Sequence, residues 1–169
     1  MNEKLSTYSF DSVLGKIHLA STPRGLAIVS FGRGGKRRFQ EYIRKHFPGR
    51  DTVAGGDMNK KAAAQITAYL DGRLRKFDLD FDLQGTPFRK RVLRRVGRIP
   101  YGRVMTYGEV AGAIGRAGAA RAVGAANAGN LLPIVIPCHR VVAKNGPGGY
   151  GGGLAMKKYL LQLEKADLK

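Results

Sequence analysis

The sequence predicts an α+β chain: a small N-terminal domain with an antiparallel sheet plus helices, then a mainly helical C-terminal domain. Three observations carry this reading. Alternating apolar residues cluster near the start, helical spacing dominates beyond residue 85, and Gln84-Gly85-Thr86-Pro87 punctuates the chain between them. With 169 residues, 43% of them hydrophobic, the chain has apolar material for two small cores.

The first half opens as a hairpin. Lys16–Ala20 alternates, Thr22-Pro23-Arg24-Gly25 is a turn signal, and Leu26–Phe31 reads as the return strand. Arg37–His46 reads as a short amphipathic helix with Phe39 and Ile43 on one face. Residues 48–57 read as loop, and Met58–Leu70 as a helix that turns Ala62, Ile66, Tyr69 and Leu70 inward. Phe77–Leu83 alternates Asp with apolar residues and reads as an edge strand.

The second half starts with Thr86 as N-cap and Pro87 at the first helical position. Phe88, Val92, Val96 and Ile99 recur at core spacing, while Arg91, Arg94, Arg95 and Arg98 stripe an adjoining face. Such a stripe is either a solvated face or a binding surface. Pro100-Tyr101-Gly102 breaks the helix, and Thr106-Tyr107-Gly108-Glu109 fits a capping box before Val110–Ile114. Gly115–Gly118 is a turn and Ala119–Ala128 a second helix, the pattern of a helix-turn-helix. In that second helix Arg121 is the one long side chain among very small ones. Small residues let a backbone approach a DNA groove, and they equally serve close helix packing. Leu154–Ala166 reads as a final helix with Leu160, Leu161 and Leu163 partly buried.

Charge points to an anionic partner. Lys plus Arg is 30 against 12 Asp plus Glu, a net charge of +18. Residues 1–84 hold 15 basic and 9 acidic side chains, and residues 85–169 hold 15 and 3, so the second half carries most of the excess. Without a basic amphipathic terminal helix, nucleic acid is favoured over a membrane surface. The start lacks an apolar signal region, and no run nears the ~20 apolar residues of a membrane span. One cysteine precludes an internal disulfide. The expectation is a soluble cytoplasmic protein, nucleoid-associated when bound to DNA, with no membrane partner.

That cysteine, Cys138, closes the apolar run Ile134-Val135-Ile136-Pro137 and precedes His139-Arg140. A lone cysteine among Ile and Val is ordinarily a small buried hydrophobe. Here it stands beside a possible base, and the run reads as a strand, on which adjacent residues point to opposite faces, so Cys138 and His139 need not touch directly.

The segments Arg121-Ala122-Val123-Gly124, Gly129-Asn130, Pro133 through Val142, Tyr150-Gly151-Gly152-Gly153-Leu154 and Leu160-Leu161-Gln162-Leu163-Glu164 resemble the O6-alkylguanine-DNA alkyltransferases, or methylated-DNA–protein-cysteine methyltransferases. The likeness runs in order from about Thr86 to Glu164; the first half is similar only in length and in its strand-then-helix order. The resemblance implies a ribonuclease H-like domain over 1–84. It implies a DNA-binding and alkyl-transfer domain over 85–169, with a winged-helix-like helix-turn-helix. The implied partner is double-stranded DNA containing alkylated guanine, bound by a monomer without a cofactor.

The implied chemistry is irreversible transfer of an alkyl group from guanine O6 to Cys138 after base flipping, with O4-alkylthymine left open. His139 serves as base through a water and Glu164 orients it; Tyr107 and Asn130 complete the catalytic set. Arg121 fills the space left by the extruded base, with Tyr107, Ala122, Gly124 and Ala119 also on the DNA. Val141, Tyr150, Gly151, Pro133 and Asn127 form the pocket, the carbonyls of Cys138 and Val141 accepting from the base's amine. Arg140 pairs within the fold. The thioether product has no route to cleavage, so the protein acts once.

Two departures stand out. Gly151 replaces a serine found in some members, so donation to O6 falls to backbone N–H groups or to Tyr150. Some members bind zinc in the first half; with only His18 and His46 there and no cysteine, no metal is expected. Two other readings remain: a non-catalytic protein that binds alkylated DNA and recruits repair factors, and a basic helix-turn-helix protein of the nucleoid or of transcription.

Overall fold

The computed structural model describes residues 3–166, so the outermost residues of both expected domains lie outside the described residues. The chain divides between Gln84 and Gly85 into two compact units.

Three consecutive strands, β1 (Leu5–Ser12), β2 (Gly15–Thr22) and β3 (Gly25–Ser30), pair antiparallel in the first unit. A short β4 (Thr52–Ala54) adds in parallel to the outer edge of β1, giving the order β3-β2-β1-β4. The β2–β3 hairpin follows the alternation in the sequence. Strand β1 does not announce itself, because only Leu5 among its eight residues is buried. Helices α1 (Gly35–His46) and α2 (Asp57–Leu70) pack on the sheet. All of β3 and Ile17–Thr22 of β2 are buried, so both faces of these strands are covered. Phe39 of α1 joins Leu5, Ala20, Ala27, Ile28 and Phe47 in one apolar cluster.

The expected strand over Phe77–Leu83 does not form. Phe81 makes a single bridge to Leu26, through Leu26 N–H to Asp80 carbonyl and Asp82 N–H to Leu26 carbonyl. The segment is held instead by the buried Asp82, whose carboxylate accepts from Thr22 at 2.8 Å and from Arg24 at 3.1 Å. A side-chain clasp has replaced a strand ladder.

The second unit is a helical frame with one small parallel sheet. Helix α3 (Pro87–Val96) begins as expected: the Thr86 hydroxyl accepts from Arg89 N–H at 3.2 Å, with Pro87 following. Val92, Leu93, Val96 and Ile99 are buried, whereas Phe88 is only half-buried. Helix α4 (Tyr107–Ala113) carries the full capping box between Thr106 and Glu109, and α5 (Ala120–Ala128) follows after a turn. Helices α3, α4 and α5 pack on one another, the three-helix arrangement of a helix-turn-helix. Strands β5 (Met105–Thr106) and β6 (Val141–Val142) pair in parallel, and α6 (Leu154–Leu163) closes the unit. Among the described residues no helix is long and apolar enough to cross a membrane.

Candidate functional site

The residues around Cys138 do not form the expected strand. Cys138–Arg140 is a single 3-10 turn, and extended structure resumes only at Val141. Two features break the apolar run: Ile134 has a left-handed backbone (φ 74°), and Pro137 sits just before the turn. A proline has no N–H to give to a ladder, which suits it to the position before a turn. The turn still aims Cys138 and His139 in different directions, as an alternating strand would have.

His139 and Glu164 are both fully enclosed, and Nε2 of the ring meets Glu164 Oε1 at 2.7 Å. The same carboxylate holds Arg140 with two bonds, Nε to Oε2 at 2.9 Å and Nη2 to Oε1 at 2.8 Å. Gly102 N–H also donates to Oε2, at 3.1 Å, and Arg140 Nη1 donates to the Ile99 carbonyl. A carboxylate so placed only accepts, so Nε2 carries the ring proton and Nδ1 the lone pair. Burial lowers the His139 pKa and outweighs the opposing pull of Glu164, leaving a neutral imidazole near pH 7. Arg140 is thus an internal strut that ties α3, the turn and the end of α6 together.

Cys138 is 5% exposed and lines a cavity of about 300 Å³. Tyr107, Gly124, Asn127 and Ala128 form one side; Gly149, Tyr150 and Gly151 form the other. That size falls at the lower end of ordinary small-molecule pockets. Burial pushes the thiol pKa up, against the lowering effects of Asn130, Lys157 and nearby backbone N–H groups. The thiol is therefore protonated at neutral pH in this state. The Tyr150 phenol is also driven well above its usual range, by burial and then by the neighbouring Cys138.

Asn127 Nδ2 donates to the Cys138 carbonyl at 3.2 Å. Asn130 bridges the chain before the turn, donating to the Ile136 carbonyl at 3.0 Å and accepting from Leu132 N–H at 2.9 Å. Tyr107 begins α4 and packs its ring against α5, where a Cβ on Gly124 would stand 3.8 Å away. Its hydroxyl nestles at Gly148, where a Cβ would approach to 2.8 Å on a left-handed backbone (φ +72°). Only glycine fits there. Arg121 and Ala122 are exposed at the start of α5, with Ala119 half-buried just before it. Val141 is fully buried and Pro133 half-buried; neither lines the cavity, unlike Asn127, Tyr150 and Gly151.

Lys157 is the site residue the sequence reading missed. It is fully buried, and its ammonium donates to the carbonyls of Val141 at 2.6 Å and Gly149 at 3.0 Å. Desolvation lowers its pKa to about 8, the nearby Cys138 opposing. Helical spacing held the signal: Lys157, Leu160, Leu161 and Glu164 are one buried face of α6. The Cys138 carbonyl already accepts from both Asn127 Nδ2 and the Val141 N–H, and the Val141 carbonyl accepts from Lys157.

Two family comparisons cover nearly the whole described chain. Residues 87–166 match the DNA binding domain, and residues 5–83 the ribonuclease-like domain, of 6-O-methylguanine DNA methyltransferase. A methylated-DNA–protein-cysteine methyltransferase of Mycobacterium bovis is 50% identical over 106 residues, which span 62% of this chain and 64% of that protein. Its namesake in Methanosarcina barkeri is 40% identical over 160 residues, 94% of this chain and 96% of that one. In three dimensions the chain is similar to Mycobacterium tuberculosis OGT in complex with DNA. The TM-score is 0.80 and the identity 37%, covering 95% of this chain and 92% of that one.

Proposed function

Because the chain belongs to the 6-O-methylguanine DNA methyltransferase family, we propose that it repairs DNA by moving an alkyl group from guanine O6 to Cys138. The observation that carries this reading is that Cys138 lines a cavity while the next residue, His139, is neutral and held by Glu164.

The thiol must lose its proton to attack, since burial keeps it protonated at rest. A water between Sγ and His139 Nδ1 carries that proton to the imidazole, while Glu164 and Arg140 keep the ring from turning. The sulfur lone pair then forms an S–C bond as the C–O6 bond breaks, and its electrons pass to the purine. Tyr107 donates a proton to N3 as the base leaves, and Tyr107 recovers a proton from the imidazolium side through solvent. The net result is one thioether and one guanine bearing the former thiol hydrogen. Lys157 holds the Val141 carbonyl and the loop before Tyr150 in place, and its positive charge eases formation of the thiolate.

The cavity is too recessed for a base that remains stacked, so the nucleotide leaves the duplex first. Exposed Arg121 at the start of α5 is suited to fill the gap, and the small residues beside it let the helix approach the groove. Tyr150, walled in beside the thiol, is the side chain suited to donate toward O6 where Gly151 offers none. A monomer with no cofactor suffices for this chemistry. The binding-only alternative leaves the His139–Glu164 pair behind Cys138 without work.

The test is on the DNA. Duplex carrying O6-methylguanine is added in excess to a known amount of protein, digested, and its restored guanine counted. One guanine per protein and no more supports the proposal; none, or continuing turnover, refutes it.

A further inference from the structure

Five cations of α3 and the residues just after it line one side of a surface groove. Lys90, Arg91, Arg94, Arg95 and Arg98 face Ala113 and Ile114 at the end of α4, enclosing about 620 Å³. The groove shares no lining residue with the cavity at Cys138, and Arg121 is not part of it. Its lining is therefore distinct from that of the cavity proposed for the transfer reaction.

Nothing among the described residues neutralises this stripe. None of the five cations makes an ion pair there. Helix α3 has no acidic residue. Within the second unit, Glu109 is engaged in the α4 capping box and Glu164 is buried between His139 and Arg140. Helix α1, also basic, differs: there Arg37 pairs with Glu41 one turn on. Like charges three and four residues apart on a helix repel one another, and an anionic partner removes that repulsion.

Three properties select a phosphate backbone as that partner. The lining is concave, which concentrates the positive potential. Four of the five cations are arginines, whose planar forks match phosphate oxygens. Lys90 to Arg95 alone run about 8 Å along the helix, the axial rise of two to three phosphates on one strand.

We infer that this groove grips the sugar-phosphate backbone of the bound duplex outside the base pairs at the Cys138 cavity. The inference rests on the DNA-repair reading above. It adds a second, sequence-independent contact that lengthens the footprint.

The test compares the full chain with R91Q/R94Q/R95Q/R98Q and with the charge-keeping R91K/R94K/R95K/R98K. Binding is followed against salt on centrally alkylated duplexes of about 10 and about 24 base pairs. On the long duplex the glutamine variant should lose about two to four units of the log Kd–log salt slope and bind at least tenfold more weakly. The lysine variant should stay within about one unit of wild type. On the short duplex all three proteins should agree, and alkyl transfer from free O6-methylguanine base should be unchanged. An unaltered long-duplex slope in the glutamine variant overturns the inference and leaves a solvated face or an acidic protein as partner. An equal loss on both duplexes also overturns it, by placing the arginines in the central footprint. Should the quadruple variant not fold, R91Q/R94Q and R95Q/R98Q each carry half of the expected loss. Failure of the repair reading itself is visible separately, as wild-type protein that gains no alkyl group.

Discussion

Lys157 Nζ lies 2.6 Å from the carbonyl oxygen of Val141, so a buried ammonium on α6 anchors the strand that leaves the Cys138 turn. Its second bond, to the Gly149 carbonyl, fixes the loop that carries Tyr150. One side chain thereby ties the Gly149–Gly151 wall of the cavity to the strand that follows the Cys138 turn.

This burial predicts a pH signature in stability. The folded pKa of Lys157 is about 8, below its ordinary 10.5. Between these values the unfolded chain holds the extra proton, so unfolding free energy rises with pH across that window. The raised pKa values of Cys138 and Tyr150 act in the opposite sense in both wild type and Lys157→Met. Loss of the Lys157 charge raises the Cys138 pKa further, which shifts the comparison in the same direction, toward wild type at high pH. Urea unfolding from pH 7.5 to 10 should therefore find wild type gaining on the variant as pH rises. Parallel profiles would contradict the assignment.

Glu164→Gln should be costly. It leaves Arg140 and His139 without the carboxylate they share, and breaking a buried ion pair costs about 3–5 kcal/mol. Urea denaturation measures that loss. Under conditions where the variant remains folded, alkyl transfer should slow by about a hundredfold or more as the base loses its orientation. A stable, fully active variant would remove Glu164 from the mechanism.

The pH dependence of transfer separates base from nucleophile. With free O6-methylguanine base as substrate, the acid limb should lie below the ordinary histidine value of 6.5, because burial lowers the His139 pKa. The rate should climb on through the thiol range, because the Cys138 pKa is raised. Single-turnover rates from pH 5 to 10 test both limbs. A plateau that begins well below pH 7 and stays flat would mean a preformed thiolate.

Arg121→Ala should leave folding within about 0.5 kcal/mol of wild type, since the side chain is exposed and makes no ion pair among the described residues. It should slow repair in duplex by at least tenfold while sparing reaction with the free base. Equal losses on both substrates would assign Arg121 a role other than base extrusion.

Much of this architecture was legible in the sequence, wherever local signals and tertiary demands agreed. The Thr86-Pro87 start, the Thr106–Glu109 capping box and the α4–α5 pair all appear where their residues predict. Strand β1 was hidden because its partners, not its own apolar pattern, define it: seven of its eight residues are not fully buried. Phe77–Leu83 misled in the opposite way, with alternation that served the clasp on Asp82 rather than a ladder. The Cys138 run looked extended until Ile134 and Pro137 bent it. Lys157 escaped because Lys157-Lys158 reads as a solvated pair, and charge alone does not tell which of the two turns inward. Its spacing from Leu160, Leu161 and Glu164 does.

The most direct measurement is the mass of the protein after incubation with duplex containing O6-methylguanine, followed by fragment sequencing. The predicted result is a gain of one methylene per molecule, carried by the peptide bearing Cys138 and absent from Cys138→Ala. An unchanged mass at saturating DNA, or a methyl group on any other residue, would contradict the account.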